Sequence, residues 1–185
     1  MAVVESIPEK MQSPNAQKGV LDYCMQPSKT FDESEQLAYI SGYNCVPQVA
    51  NESFLATQKI FGHEPDGVRF YHFVQSFRIG ERISPQEANE IGMELAKSFG
   101  NREAIVATHI DREHLHNHIV VCAYDLDDGR KLHYNKFFLS DLRKASDEIC
   151  KAHGLEVLQK YNPNIKSGRM KPKEYRAALN GNSWK

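Results

Sequence analysis

Four histidines and two acidic residues are crowded into HIDREHLHNH, residues 109–118, directly before the apolar run IVV. The apolar run predicts a strand that is about to be buried. Residues two apart on a strand share a face, so His116 and His118 point the same way. A hairpin with the preceding strand would bring His109 beside them. Three neutral imidazoles that converge on one point make a metal site with open coordination positions.

The predicted ligands His109, His116 and His118 leave the charge of a divalent ion uncancelled, so the ion would attract and polarise an anionic oxygen. One ion is predicted: magnesium or manganese where a phosphate adds oxygen ligands, with zinc, cobalt or nickel as alternatives. Asp111 is expected to accept a hydrogen bond from a ligand imidazole, or else to be an ordinary turn residue. His114 is the weakest candidate ligand because it lies in the turn. A surface cluster without metal is the alternative, but buried imidazoles need partners and ligation supplies them.

Both helices and strands are predicted around these histidines. Helices are predicted at residues 19–26, 49–62, 84–100 and 138–155, and strands at 37–45, 68–79, 102–110 and 114–125. Ser84 and Glu87 form a capping box at the start of the third helix. Ser140 is predicted to cap the fourth helix and Gly154 to end it. Strands that can pair antiparallel, with helices between them, predict an α+β fold.

Length and composition limit the class of protein. A chain of 185 residues suits one domain with a tail. The sequence lacks an apolar run of the roughly 18–20 residues that cross a bilayer, and it lacks a secretory signal, which together predict a cytosolic protein. Residues 1–18 are polar and patternless and are predicted to be flexible, ahead of a domain at 19–160. The four widely spaced cysteines are expected to be reduced.

Charge gives a weaker signal than the histidines. The net charge of −1 is no global sign of nucleic-acid binding. From Lys160 onward, however, the chain holds seven Lys or Arg and one Glu. Residues 161–185 are therefore predicted to be a basic extension that leads into a further C-terminal region. A solvated tail and a basic arm near a phosphate backbone are the two interpretations.

Three segments in order resemble the motifs of one family. HIDREHLHNHIV resembles the histidine motif of the MobA/MobL-type relaxases that mobilise plasmids and transposons, members of the HUH endonuclease superfamily. RFYHFVQSFRIGE resembles the second motif of these enzymes, and LDYCMQPSKT the first, where a tyrosine precedes a short loop ending in Lys-Thr. The resemblance covers roughly residues 19–160. The chain departs from the wider superfamily at Asn117, where a hydrophobic residue is frequent.

The resemblance implies a fold and an activity. The fold would be the ferredoxin-like or RRM-like palm, a central antiparallel sheet with helices mainly on one face and metal and DNA on the other. The activity would be a site- and strand-specific nick at an origin of transfer, through a 5′-phosphotyrosine, that initiates conjugative mobilisation. The implied partners are single-stranded origin DNA, with or without an adjacent hairpin, relaxosome accessory proteins and a coupling protein. The implied location is the bacterial cytoplasm, without membrane insertion.

Tyr23 matches the nucleophile of the first motif. A phenol with a pKa of about 10 is a poor nucleophile and needs a base or a nearby cation. Tyr39 and Tyr43 are the next candidates, although tyrosine is ordinary in a strand. A nucleophile after the histidines would instead indicate a replication initiator or a transposase nuclease. The downstream candidates for that reading are Tyr124, Tyr134, Tyr161 and Tyr175.

For DNA contact the candidates are Lys29, Ser76 and Arg78, which could bind phosphates or simply be solvated. His72, inside an apolar strand, is predicted to be a core histidine with polar partners rather than a ligand.

Two other classes of function remain open. A histidine-ligated zinc hydrolase of small molecules would not need Tyr23. A metal-stabilised DNA-binding module would bind an oligonucleotide and leave it whole.

Overall fold

The structure is a computed structural model that describes residues 2–62 and 67–157. The helices are α1 (Pro14–Cys24), α2 (Pro27–Thr30), α3 (Ala50–Phe61), α4 (Pro85–Lys97) and α5 (Phe138–Ala152), with a 3-10 turn at Pro47–Val49. The strands are β1 (Ala2–Ile7), β2 (Phe31–Asp32), β3 (Leu37–Ala38), β4 (Ile40–Tyr43), β5 (Phe70–Phe77), β6 (Arg102–His109) and β7 (His116–Asp125). The basic extension predicted at 161–185 lies outside the described residues.

A five-stranded sheet in the order β1-β5-β7-β6-β4 forms the centre of the molecule, and each neighbouring pair is antiparallel. Strands β2 and β3 pair separately. The predicted hairpin is the β6–β7 pair, whose register sets His109 opposite His116 and Ala107 opposite His118. All eight residues of β6 are buried. The α+β class with a central antiparallel sheet is confirmed.

Helices cover both faces of the sheet, and not mainly one. Val106 and Ile119 face α4 and α5, whereas Ile105 and Val120 face α1 and α3. Helix α1 begins at Pro14, five residues before the predicted start, because the Ser13 side chain caps it by accepting a hydrogen bond from Ala16 N. This face, with α1 on it, is also the one that carries the histidines.

The N-terminal segment was predicted to be flexible, but residues 2–7 form the edge strand β1. Ala2 and Val4 are buried at alternate positions, as in a half-buried strand. Strand β1 pairs with β5 from Ala2 opposite Phe77 to Ile7 opposite His72. The alternation covers only a few residues among polar ones, so the sequence predicts this strand only weakly. The pairing with β5 is what stabilises it.

Helix α4 begins with the predicted capping box, in which the Ser84 and Glu87 side chains bond each other's backbone. Helix α5 begins at Phe138, as predicted, but Ser140 lies inside it instead of capping it. The Asn135 side chain accepts hydrogen bonds from the backbone of Phe137 and Phe138 at 2.8 and 3.0 Å. A short amide side chain thus satisfies the free N–H groups one turn earlier, which starts the helix there.

Asn117, the residue between two predicted ligands, points to the α4 face and is fully hydrogen-bonded there. Its amide group donates to Gln75 Oε1 at 2.9 Å and to Ala88 O at 2.6 Å, and its oxygen accepts from Thr108 at 2.7 Å. A Cβ on Gly92 of α4 would lie 2.5 Å from the Asn117 nitrogen. Asn117 therefore ties the start of β7 to β5, β6 and α4.

Across residues 2–62 and 67–157, none of the helices combines the length and the apolar character that crossing a bilayer requires. The four cysteines are all free thiols.

Candidate metal centre and nucleophile

The three predicted ligands converge at one end of the β6–β7 hairpin. One ligand atom from each of His109, His116 and His118 lies within 4.8 Å of the others. The ring centroids are 4.3 Å apart for His109 and His118, and 5.0 and 5.2 Å apart for the other two pairs. The antiparallel register brings them together as the alternation of the strand predicted. We call these three residues the histidine triad.

Burial keeps the triad uncharged. It lowers the pKa of His109, and burial together with the neighbouring imidazoles lowers the pKa of His116 to about 4 and that of His118 to about 2. His109 Nε2 donates to Cys24 O at 2.9 Å, so its Nδ1 keeps a lone pair. His116 Nδ1 lies 3.3 Å from His114 O, which leaves its Nε2 free. Neutral imidazoles with a free lone pair are what a divalent ion requires.

His118 is held from behind by a second histidine. Its Nδ1 lies 2.8 Å from His72 Nε2, and His72 Nδ1 lies 2.8 Å from Glu9 Oε1. His72 is only 4% exposed, so the prediction of a buried histidine with polar partners describes it well. Glu9 is a residue that the sequence analysis missed. The available signal was the shared strand face of His72 and His118, which are diagonal neighbours across the β5–β7 pair.

A second group of possible ligands consists of Cys24, His72 and His118. All three are buried, and burial raises the pKa of the Cys24 thiol to about 12. The two imidazole nitrogens in it already lie at hydrogen-bond distance. The histidine triad, which lines an open cavity, is therefore the better candidate for a metal ion.

Tyr23 lies beside the histidine triad at the C-terminal end of α1. Its ring contacts His109 and His118 edge-on, with centroids 5.9 and 5.7 Å apart, and the residue is 44% exposed. Lys29 Nζ lies 3.7 Å from the centre of the Tyr23 ring. The hydrogen bond from His109 to the carbonyl of Cys24 fixes this end of α1 against β6. The predicted nucleophile and the predicted ligands thus share one site.

The other described tyrosines lie elsewhere. Tyr39 is buried and donates to Glu35 at 2.6 Å, a bond that raises the pKa of Tyr39 to about 12. Tyr43 and Tyr124 pack against the hydrophobic core. Tyr134 stacks on Tyr71 at 5.5 Å between ring centres. The two downstream candidates Tyr161 and Tyr175 lie outside the described residues.

The cavity in front of the histidine triad has a volume of about 280 Å³ and is open to solvent. Lys29, Ser76 and Asp111 line it, as does Arg112, which the sequence analysis did not select. Asp111 lies 4.0 Å from the Arg112 guanidinium, and no hydrogen bond joins it to an imidazole of the described chain. The carboxylate that is connected to the histidine triad is instead that of Glu9, which contacts His72, and His72 in turn contacts His118.

Arg78 lies outside the lining of this cavity. Its side chain is 62% exposed, and its guanidinium lies 3.8 Å from the Glu156 carboxylate. The cavity therefore receives positive charge from Lys29 and Arg112, and a hydroxyl from Ser76. Such a lining suits the backbone of a nucleic acid, because ammonium, guanidinium and hydroxyl groups all donate to phosphate oxygens.

Several known sequences are similar to this chain. A family model described as Relaxase: MobA/VirD2-like, nuclease domain, matches residues 23–155. Protein rlx of Staphylococcus aureus is 39% identical over 121 residues, which cover 65% of this chain and 38% of that protein. The group II intron-interrupted relaxase LtrB of Lactococcus lactis is 29% identical, over 75% of this chain and 31% of that protein. The chain thus spans about a third of the length of the curated relatives it matches.

Two solved structures share the fold. The MobM relaxase domain, bound to plasmid pMV158 oriT DNA and manganese, gives a TM-score of 0.61 at 14% identity, covering 97% of this chain and 98% of that chain. A structure described under the molecular basis of vancomycin resistance transfer in Staphylococcus aureus gives 0.52 at 14% identity, covering 87% and 98%. At such low identities the likeness concerns the fold alone.

Proposed function

The chain belongs to the MobA/VirD2-like relaxase nuclease family, and we propose that it nicks one DNA strand at an origin of transfer to initiate mobilisation of that DNA. The observation that carries the proposal is the meeting of Tyr23 and the histidine triad in one open cavity. A hydroxyl nucleophile beside uncharged imidazoles suits the attack on a phosphodiester.

The proposed reaction is a transesterification. The Tyr23 oxygen forms a bond to phosphorus while the bond between phosphorus and the 3′ oxygen breaks. The phenol gives up its proton and the 3′ oxygen gains one, so the products are a 5′-phosphotyrosine and a free 3′-OH. One phosphoester bond replaces another, and the reverse reaction can therefore rejoin or transfer the strand.

The side chains around Tyr23 support this reaction. The ammonium of Lys29 lies 3.7 Å from the centre of the Tyr23 ring, and it brings positive charge to the cavity in which a phosphate would meet Tyr23. Ser76 and Lys29 line the cavity, which supports the proposal that they contact phosphates there. Asp111 on the cavity wall remains a proposed catalytic residue. Arg78, on the exposed surface, is proposed to contact a phosphate further along the strand.

His109, His116 and His118 would hold one divalent ion, manganese or magnesium, with zinc, cobalt or nickel as alternatives. When bound, such an ion would offset the charge of a non-bridging phosphate oxygen. The triad fits this role because burial keeps its members neutral, and His109 and His116 each retain a lone pair outside their hydrogen bonds. The proposed partners are single-stranded origin DNA, with or without a hairpin, relaxosome accessory proteins and a coupling protein, in the bacterial cytoplasm.

The test uses a single-stranded oligonucleotide that spans the origin of transfer of the element encoding this chain, labelled at its 3′ end. Incubation with manganese should give a labelled fragment linked to protein on a denaturing gel. Tyr23→Phe should abolish this adduct and still bind the oligonucleotide. Tyr134→Phe is the matched control, because Tyr134 is 40% exposed and lies outside the cavity.

Each outcome has a distinct meaning. An adduct that persists in Tyr23→Phe would remove Tyr23 from the mechanism. An oligonucleotide that is bound but never cut would indicate a binding module. Full activity of His116→Gln and His118→Gln with a chelator present would remove the metal ion from the proposal.

A further inference from the structure

We propose that Glu9 and His72 set the tautomer of His118, so that His118 Nε2 keeps the lone pair that a metal ion needs. Neither residue belongs to the histidine triad, and both would act through His118 as positioning residues. The inference rests on the proposed metal site. We call the three residues in contact, Glu9, His72 and His118, the carboxylate–histidine relay.

The relay begins at the Glu9 carboxylate, which can only accept hydrogen bonds when it is ionised. His72 Nδ1 lies 2.8 Å from Glu9 Oε1, so Nδ1 must carry the proton. His72 is only 4% exposed, and its Nε2 faces a second imidazole and the Cys24 thiol instead of an anion, so we assign it as the neutral imidazole, which has a single N–H. His72 Nε2 is therefore left as an acceptor.

The second step passes this constraint to His118. His72 Nε2 and His118 Nδ1 are 2.8 Å apart and buried, and one of the two must donate. Since His72 Nε2 is the acceptor, His118 Nδ1 carries the proton and its Nε2 does not. The opposite tautomer of His118 would set two lone pairs against each other away from water, a costly arrangement. The thiol of Cys24, 3.7 Å from His72 Nε2, is a weak donor and is compatible with the same assignment.

The fold holds the first member of the relay firmly in place. Strand β1 ends at Ile7, directly opposite His72 in β5. Gln12 then closes the following loop, because its side-chain oxygen accepts from Arg69 N at 2.8 Å and its amide lies 3.3 Å from Glu9 O. Glu9 therefore reaches His72 from a segment that is tied to the sheet on both sides.

The effect of the relay should appear in metal affinity. Groups that orient a metal-binding histidine typically change the affinity by about 10- to 100-fold when they are removed. His72→Leu removes the acceptor and should raise the Kd for Mn²⁺ by that factor. His72→Gln offers an amide oxygen to His118 Nδ1 and should restore most of the affinity. Glu9→Leu removes the acceptor for His72 Nδ1 and should weaken binding, and Glu5→Leu, at an exposed carboxylate on β1, is its matched control.

The tautomer can be read directly from the metal-free protein. Two-dimensional ¹H–¹⁵N NMR of the imidazoles should show His118 protonated at Nδ1 in the wild type, and mixed or protonated at Nε2 in His72→Leu. Calorimetric titration with Mn²⁺ gives the affinities, and thermal unfolding confirms that each variant is folded. A merely structural role would leave the tautomer unchanged.

Two results separate this inference from the proposed function. If the wild type binds Mn²⁺ and His72→Leu binds it equally well, the relay fails while the metal site stands. If His118 of the wild type is protonated at Nε2, the relay is also wrong. If the wild type does not bind Mn²⁺ at all, the metal site itself is overturned.

Discussion

The neutrality of the buried imidazoles predicts that the metal-free protein loses stability in mild acid. An unfolded histidine has a pKa of about 6.5, whereas in the fold the pKa is about 4 for His116 and about 2 for His118. The unfolded chain therefore binds more protons below pH 6.5, so stability falls as the pH falls. For His116 the loss runs from the unfolded pKa down to about 4, and for His118 it continues to about 2.

The magnitude follows from the distance between the pH and the unfolded pKa. One pH unit below that value corresponds to about 1.4 kcal/mol for a group that stays neutral in the fold. At pH 5 each of His116 and His118 should thus contribute a loss of about 2 kcal/mol relative to pH 8, and together about 4 kcal/mol. A loss of this size is a large fraction of the stability of an ordinary domain.

The assay is urea unfolding of chelator-treated protein at pH 8 and at pH 5. The wild type should lose about 4 kcal/mol more between these conditions than the double variant His116→Gln/His118→Gln, which has no imidazole to protonate at either position. His133→Gln, which removes an exposed histidine, is the matched control. Equal acid sensitivity of the wild type and the double variant would refute the assignment of neutral imidazoles.

Two further predictions concern metal binding and packing. Manganese at 100 times its Kd should stabilise the wild type by about 2.7 kcal/mol, seen as a higher Tm, and should leave His116→Gln unchanged; an equal shift in both would place the ion elsewhere. Gly92→Ala should destabilise the protein by about 1–3 kcal/mol despite the better helix propensity of alanine, because its Cβ would meet Asn117 at 2.5 Å; an unchanged urea midpoint would show that α4 can shift away.

The triad could be predicted because its geometry is local. Strand alternation fixes the shared face of His116 and His118, and a short hairpin adds His109 from the neighbouring strand. The capping box of α4 is likewise a pattern of four consecutive positions, and it was predicted correctly. Tyr23 needed the family resemblance, since no periodicity relates a residue at the end of α1 to a hairpin far along the chain.

The missed features depend on contacts between distant segments. Glu9 comes close to His72 only when β1 pairs with β5. The sequence of β1 is too short to predict a strand by itself. The coverage of both sheet faces depends on where α1 packs, which its own sequence does not specify. The cap of α5 was misplaced because Asn135 and Ser140 are both good capping residues, and tertiary packing decides between them.

The hydrogen-bonded Asn117 has a consequence for how the hairpin selects its alignment. A slip of β7 by one residue would turn His116 and His118 toward α4 and would push Asn117 into the cavity. The same slip would remove, in the buried interior, the donor that Asn117 gives to Gln75 and the acceptor that it gives to the Thr108 hydroxyl. The hydrogen bonds of Asn117, between the two histidines, thus favour the native register of β7, because a misaligned strand loses them even when no ion is bound.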